Sequence, residues 1–175
     1  GAVWVMRGNR VLRIDPDRNE VTGRLTVKEP QGIAAGLDSL WVTTLDERIL
    51  RIDARTMKPV YAQDVSHACY FPLVAGGSLW VISTPSLSSN VPEVWRLDPG
   101  TLAQEHAFPL PRRFPYQLAA GSGAVWSVDP GNGALWRFDA GTNRVLQFAK
   151  LAHHPVSLAV GGGTIWVGTQ AEPLS

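Results

Sequence analysis

A tryptophan returns along this chain at nearly even intervals, each time in the same five-residue frame. The frames are GAVWV from Gly1, DSLWV from Asp38, GSLWV from Gly77, GAVWS from Gly123 and GTIWV from Gly163. Their tryptophans are Trp4, Trp41, Trp80, Trp126 and Trp166, spaced by 37, 39, 46 and 40 residues. A second series follows the first four: LRID ending at Asp15, LRID at Asp53, WRLD at Asp98 and WRFD at Asp139. A third precedes the last four: GIAAG, PLVAG, QLAAG and SLAVG, ending at Gly36, Gly76, Gly121 and Gly161. Three series in one order at one period define a repeat protein.

The segments inside each period are short, rich in Val, Ile, Leu and Trp, and separated by Gly, Pro, Asp and Asn, which predicts strands and turns. No long window keeps an apolar stripe at helical spacing. One period reads as strand A over 32–36, strand B over 40–44, strand C over 49–53 and strand D over 59–65. Asp-Pro-Asp-Arg-Asn from Asp15 and Asp-Pro-Gly-Thr from Asp98 are turn chemistry, with Asp capping the turn and Pro presetting φ. Four antiparallel strands in a period of roughly 40 residues make the blade of a β-propeller. Strand A carries small residues, as in Ala34-Ala35-Gly36 and Ala119-Ala120-Gly121, suited to a crowded innermost strand. The strand B tryptophan then fills the wider space between blades, covering on the order of 150–250 Å².

The expected fold class is therefore all-β, a β-propeller of four-stranded antiparallel blades. About four and a half blades are present as one partial propeller, with repeats over approximately 1–30, 31–70, 71–114, 115–154 and 155–175. The first repeat has no strand A, and the last has A and B only. A closed six- or seven-bladed ring needs about 240–280 residues at this period, so the chain reads as a piece of such a ring. Its 45% apolar residues suffice for a core. Sixteen basic against fifteen acidic residues give no single-sign field, so nucleic acid is not an expected partner. The apolar runs are too short and too broken by Gly to span a membrane. One cysteine, Cys69, permits neither an intrachain disulfide nor a Cys-based metal cluster, and reads as a small apolar residue near a strand start.

The pattern GxLWV followed by LxRIDPxT resembles the YVTN-type and streptogramin lyase-like (virginiamycin B lyase-like) bacterial propellers over nearly the whole chain. The resemblance implies a bacterial protein of the periplasm or cell exterior. It serves lyases, binding proteins and sensor domains alike. The lyase members continue strand B as Trp-Phe-Thr-Glu and use a histidine with bound magnesium. Here the residues three beyond each Trp are Arg7, Thr44, Ser83, Asp129 and Thr169, so only Asp129 keeps a carboxylate. No Trp-Asp dipeptide closes a blade, and the Ser-x-Asp-x-Gly-x-Thr-Trp box of sialidases is missing.

On a propeller the B-to-C and D-to-A connections share one face, where loops can vary on a rigid ring. The B-to-C connections are Arg7-Gly8-Asn9, Leu45-Asp46-Glu47, 83–93 and 129–133. The D-to-A connections are Glu29-Pro30-Gln31, 67–71, 112–117 and His153-His154-Pro155. The expected ligand face thus includes Asn9, Asp46, Glu47, Glu93, Arg112, Arg113, Tyr116, Asp129, Asn132, His153 and His154. His153 and His154 suit a metal ligand or general base, or are two solvated loop histidines. Asp129 with Asn132 suits a hard cation, or is an Asp-Pro-Gly-Asn turn. Arg112, Arg113, Phe114 and Tyr116 suit an anionic or aromatic ligand, or cover the core edge. The third repeat spends 18 residues between Trp80 and Asp98, against 11, 12 and 13 elsewhere; the extra polar loop is a contact loop or a tolerated insertion. Arg13, Arg51, Arg96 and Arg137 recur in every Arg-x-Asp motif, so their role is structural.

The leading expectation is a non-enzymatic propeller module that presents its loop face to a protein, peptide or small ligand and needs no cofactor. The alternative is a metal-assisted lyase or hydrolase of the streptogramin lyase type, a carbon–oxygen lyase-like activity with magnesium, Asp129, and His153 or His154.

Overall fold

The computed structural model describes residues 1–65, 67–84, 91–110, 116–139, 141–151 and 154–170. All regular structure among them is strand. The chain divides into two compact units, Gly1–Val74 and Ala75–Ser175.

In the first unit, β1 (Val3–Arg7), β2 (Arg10–Asp15) and β3 (Glu20–Thr26) form a three-stranded antiparallel sheet. Next, β4 (Pro30–Gly36), β5 (Ser39–Thr44), β6 (Arg48–Asp53) and β7 (Pro59–Asp64) form a four-stranded meander in chain order. β8 (Cys69–Ala75) follows, and Cys69 is buried at its start. In the second unit β9 (Ser78–Ser83), β10 (Glu93–Leu97) and β11 (Gln104–Pro109) are neighbours in the order β11-β10-β9. β12 (Tyr116–Gly121), β13 (Ala124–Asp129), β14 (Ala134–Asp139) and β15 (Arg144–Lys150) form a second four-stranded meander. β16 (His154–Gly161) and β17 (Thr164–Gln170) pair as a hairpin.

These strands are the predicted A, B, C and D strands, with one systematic difference: strand A begins earlier than its sequence suggests. Pro30, Tyr116 and His154 read as connections, yet they open β4, β12 and β16. A register shift lies just beyond each, between Pro30 and Gly32, Tyr116 and Leu118, and Pro155 and Ser157. One extra residue in the bulge lets a polar or proline-bearing segment stay paired. Likewise Arg7, Ser83 and Asp129 end β1, β9 and β13, and Glu93 opens β10.

Three contacts recur in this frame. The strand B indole closes its own A-to-B hairpin: Nε1 of Trp41, Trp80 and Trp126 donates to the carbonyls of Gly36, Ala75 and Gly121 at 3.3, 3.1 and 3.0 Å. These A-to-B turns need two successive residues at positive φ. Gly76-Gly77 and Gly162-Gly163 supply them without steric cost, whereas Leu37 and Asp38 are held at φ 53° each. At the C-to-D turn, Asp53 Oδ1 accepts from Arg55 N and Thr56 N at 3.1 and 2.6 Å, and Asp98 Oδ1 from Gly100 N and Thr101 N at 3.0 and 2.7 Å. Asp15 and Asp139 cap their turns in the same way. At the opposite edge, the residue after strand D donates to the carbonyl just before strand C: Val27 to Asn9, Val65 to Glu47, Leu110 to Pro92 and Leu151 to Gly133.

Within each unit apolar cores lie between successive sheets. In the first unit Trp4 and Met6 pack against a cluster that includes Val11, Leu40, Val42 and Ile52. In the second, Trp126 shares a cluster with Leu158, Val160, Ile165 and Val167. Trp80 stacks on Phe108 at 5.6 Å, and Phe108 meets Phe138 edge-on at 5.4 Å. Two of the recurring arginines tie sheets together: Arg13 Nη1 donates to the Arg55 carbonyl at 2.7 Å and Arg96 Nη1 to Asn143 Oδ1 at 3.2 Å. The Arg51 guanidinium instead covers its own sheet, 5.5 Å from the centre of the Trp41 ring on the paired strand.

Two outcomes are expected. Trp41→Ala removes a fully buried indole, and urea denaturation should show about 3–5 kcal/mol less stability. The Thr101 hydroxyl, then its N–H, holds the Asp98 carboxyl below its ordinary value of 3.8. A carboxyl lowered by folding stabilises the folded state above its ordinary value, and that contribution is lost as pH falls through the lowered one. Thr101→Val should therefore melt at a lower temperature than the parent at pH 7. Melts taken at successively lower pH should show the difference closing below the ordinary carboxyl value.

Candidate functional site

The edge carrying the B-to-C connections is built by the strand D hydrogen bonds just described. In the first unit they place the Arg7–Asn9, Val27–Glu29 and Leu45–Glu47 segments along one edge, because Leu45 N also donates to the Glu29 carbonyl at 3.0 Å. Asp46 and Glu47 stand together there, with Lys28 Nζ 3.4 Å from Asp46 Oδ2 and 3.9 Å from Glu29 Oε2. Thr44, at the end of β5, donates its hydroxyl to Asp46 Oδ1 at 2.5 Å and accepts Arg48 N at 3.2 Å. That hydroxyl is the main reason the Asp46 carboxyl is held below its ordinary value, with Lys28 adding to it. Arg48 pairs with Asp64 at 3.0 Å across the sheet. Asn9 lines a groove of about 660 Å³ together with Arg7, Arg10, Leu12, Arg24 and Thr26.

In the second unit the structure draws Asp129, Asn132 and His154 around one turn. Asp129 is 2% exposed. Its Oδ1 accepts Gly131 N and Asn132 N at 2.9 and 3.2 Å, and its Oδ2 accepts Asn132 Nδ2 at 2.7 Å. His154 Nδ1 lies 2.8 Å from the Pro130 carbonyl, which can only accept, so this nitrogen carries the proton. Lys150 Nζ donates to the Asn132 carbonyl. Glu93 Oε2 accepts Trp95 Nε1 at 2.7 Å. Arg112, Arg113 and His153 lie outside the described residues, as does most of the long polar loop of the third repeat. Tyr116 is placed as the first residue of β12. A separate hollow of about 330 Å³ is lined by Ala75, Gly76, Ala120, Gly121 and their neighbours, apolar groups with no titratable side chain.

Sequence reasoning passed over three residues that the structure puts at this edge. Lys28 sits one residue before the expected D-to-A connection. Arg24 was hidden inside a strand, and only the pairing of Leu12 with Arg24 brings it beside Arg10. Gln117 reads from the sequence as part of a connection. It accepts the Leu158 amide on its side-chain Oε1 at 3.2 Å and the Ser127 hydroxyl on its carbonyl at 3.1 Å.

Among the described residues the donors for the magnesium implied by the lyase resemblance do not gather around one point. Both carboxylate oxygens of Asp129 accept N–H groups of its own turn, and His154 turns its Nδ1 to the Pro130 carbonyl. Among the described residues no three of His, Cys, Asp and Glu gather closely enough to hold a metal ion. No described helix is long and apolar enough to cross a membrane.

No protein-family model matches the chain, and no curated protein does. Solved structures do match. The Pan2 WD40 domain of Neurospora crassa aligns over 90% of this chain and 52% of its own, at 12% identity and a TM-score of 0.73. Hydrazine synthase of Kuenenia stuttgartiensis aligns over 90% and 47%, at 15% identity and 0.71. BamB of Moraxella catarrhalis aligns over 96% and 55%, at 16% identity and 0.62. Identities this low speak for the fold alone. The repeat, the four-stranded antiparallel sheets and these neighbours define the chain as a β-propeller repeat protein. It spans about half the length of these three structures.

The Asp129 turn gives a direct check. Asp129→Ala leaves two part-buried backbone N–H groups without their acceptor and should cost about 1–3 kcal/mol in chemical denaturation. Asp129→Asn keeps an oxygen at Oδ1 and should cost clearly less.

Proposed function

We propose that this chain is a non-enzymatic β-propeller module that binds a protein or peptide through the edge where strands B and C connect. The observation that carries this reading is a contrast between two positions of the repeat. The frame is constant: Trp on strand B, a capping Asp at the C-to-D turn, and the bond from the end of strand D to the residue before strand C. The residue just before strand C, on the B-to-C connection, is Asn9, Glu47, Pro92 or Gly133. Chemistry that varies on a constant frame is the pattern of a recognition edge rather than of a structural one. The Asp46, Glu47 and Lys28 group supplies charge there without a buried nucleophile or base. The resemblance of the repeat to bacterial propellers supports an exported bacterial setting for this role. The lyase alternative draws on Asp129 and His154, whose polar atoms are engaged in their own turn, and is the weaker of the two.

A random-peptide display library panned on the 175-residue chain tests the proposal. Enriched peptides should lose more than about tenfold in affinity against Asp46→Lys or Glu47→Lys. They should bind Asp17→Lys, altered at the opposite edge, as they bind the parent. Peptides that respond to Asp17→Lys and ignore both rim variants would move the binding edge and sink the proposal.

A further inference from the structure

Of the five asparagines in the chain, Asn132 alone precedes a glycine; the others are followed by Arg10, Glu20, Val91 and Arg144. The Asn132-Gly133 pair is turn chemistry, and it closes the B-to-C connection of the fourth repeat. Asparagine is also a labile residue. The backbone nitrogen that follows it can attack its side-chain carbonyl carbon, and a side chain on the following residue hinders that approach. Gly133 has no side chain to hinder it.

Two features of this turn bear on the reaction. Asn132 is exposed and Gly133 half-buried, so water reaches the bond between them. Lys150, the last residue of β15, donates from its ammonium group to the Asn132 carbonyl. Its cross-strand pairing with Ala134 keeps it at that place. The Asn132 carbonyl belongs to the same peptide unit as the Gly133 nitrogen. A cation on its oxygen stabilises the negative charge that the unit carries once the Gly133 N–H has lost its proton, and so raises the fraction of reactive nitrogen.

We propose that Asn132 is a site of spontaneous deamidation, promoted by Lys150. The Gly133 nitrogen bonds to Asn132 Cγ and the Cγ–Nδ2 bond breaks. The proton given up by Gly133 joins the departing Nδ2 group, which leaves as ammonia. Water then opens the imide at one of its two C–N bonds and leaves aspartate or isoaspartate, with nothing oxidised or reduced. The product cannot keep the parent's turn. Asn132 Nδ2 donates to Asp129 Oδ2 at 2.7 Å, and Asp129 is 2% exposed. Conversion sets a carboxylate against that buried carboxylate in place of a donor, and like charges so close oppose each other's ionisation. Isoaspartate also adds a carbon to the main chain between Asp129 and Ala134, which face each other in the β13–β14 register. Age thus adds a negative charge to this B-to-C edge. The inference does not depend on the binding reading, so either can fail without the other.

Peptide mapping by mass spectrometry, on the folded 175-residue chain incubated at neutral pH and low ionic strength, tests this. Conversion should concentrate at Asn132 and spare Asn9, Asn19 and Asn143. Lys150→Met keeps the stem and loses the charge, and should slow conversion about threefold, the effect of roughly half a pKa unit. Lys150→Arg keeps a cation and should stay close to the parent's rate. Both alter an exposed side chain at a strand end, so their circular dichroism should match the parent's. In urea the contact with Lys150 is gone, and parent and Lys150→Met should convert at one rate. A folded parent that keeps Asn132 intact while the unfolded chain converts it overturns the proposal. So does a folded Lys150→Met that converts as fast as the parent, or a difference between the two that persists in urea.

Discussion

The burial of one indole per repeat, tethered by its own N–H, is the contact on which this structure rests. The ring of Trp41, Trp80 or Trp126 reaches out of its sheet into apolar contact, and Nε1 reaches back to the last carbonyls of strand A. A buried indole N–H needs an acceptor, and the end of strand A provides one at fixed distance. The same side chain therefore sets the A-to-B hairpin and the packing of the sheet. Small residues on strand A follow from this. Gly36 and Gly121 lie where an added Cβ would come within 3 Å of the side chains of Val74 and Val160 respectively, so the missing side chains are demanded by valines on the next strand A.

Two kinds of edge follow. At the C-to-D edge the chain repeats one solution, an aspartate whose carboxylate collects the N–H groups of the turn. Asp53, Asp98 and Asp139 have their carboxyls held low by these bonds, with Thr56, Thr101 and Thr142 as principal donors. At the B-to-C edge the solution is made from backbone: strand D's last amide closes the loop whatever its side chains are. A loop closed by main chain leaves its side chains free to differ, which is the physical reason Asn9, Glu47, Pro92 and Gly133 can occupy one place in the frame.

Most of the frame was legible because it is periodic. Strand B is announced by Trp, the C-to-D turn by Asp, and the A-to-B turn by paired residues that include Gly in all but one case. The starts of strand A were less legible. Pro30 and His154-Pro155 look like punctuation, and a bulge, which depends on pairing with strand B, keeps them in the sheet. The edge was legible in outline only. Asp46 and Glu47 fall on it as their spacing suggests, and Asp129 joins Asn132 in the turn that Asp-Pro-Gly-Asn spells out. Lys28 and Arg24 were invisible because their place follows from cross-strand register, which sequence spacing does not carry. The engagement of His154 with Pro130 was equally hidden, since 24 residues separate them.

The packing of a strand B tryptophan on the strand B aliphatics of the next sheet has an evolutionary side. A repeat built this way carries both halves of one contact, so a duplicated copy arrives already matched to either neighbour. Lengthening such a gene by a single unit calls for no new complementary surface. Divergence can then be confined to the loops at one edge, and the lineage can explore new binding specificities while its packing code stands still.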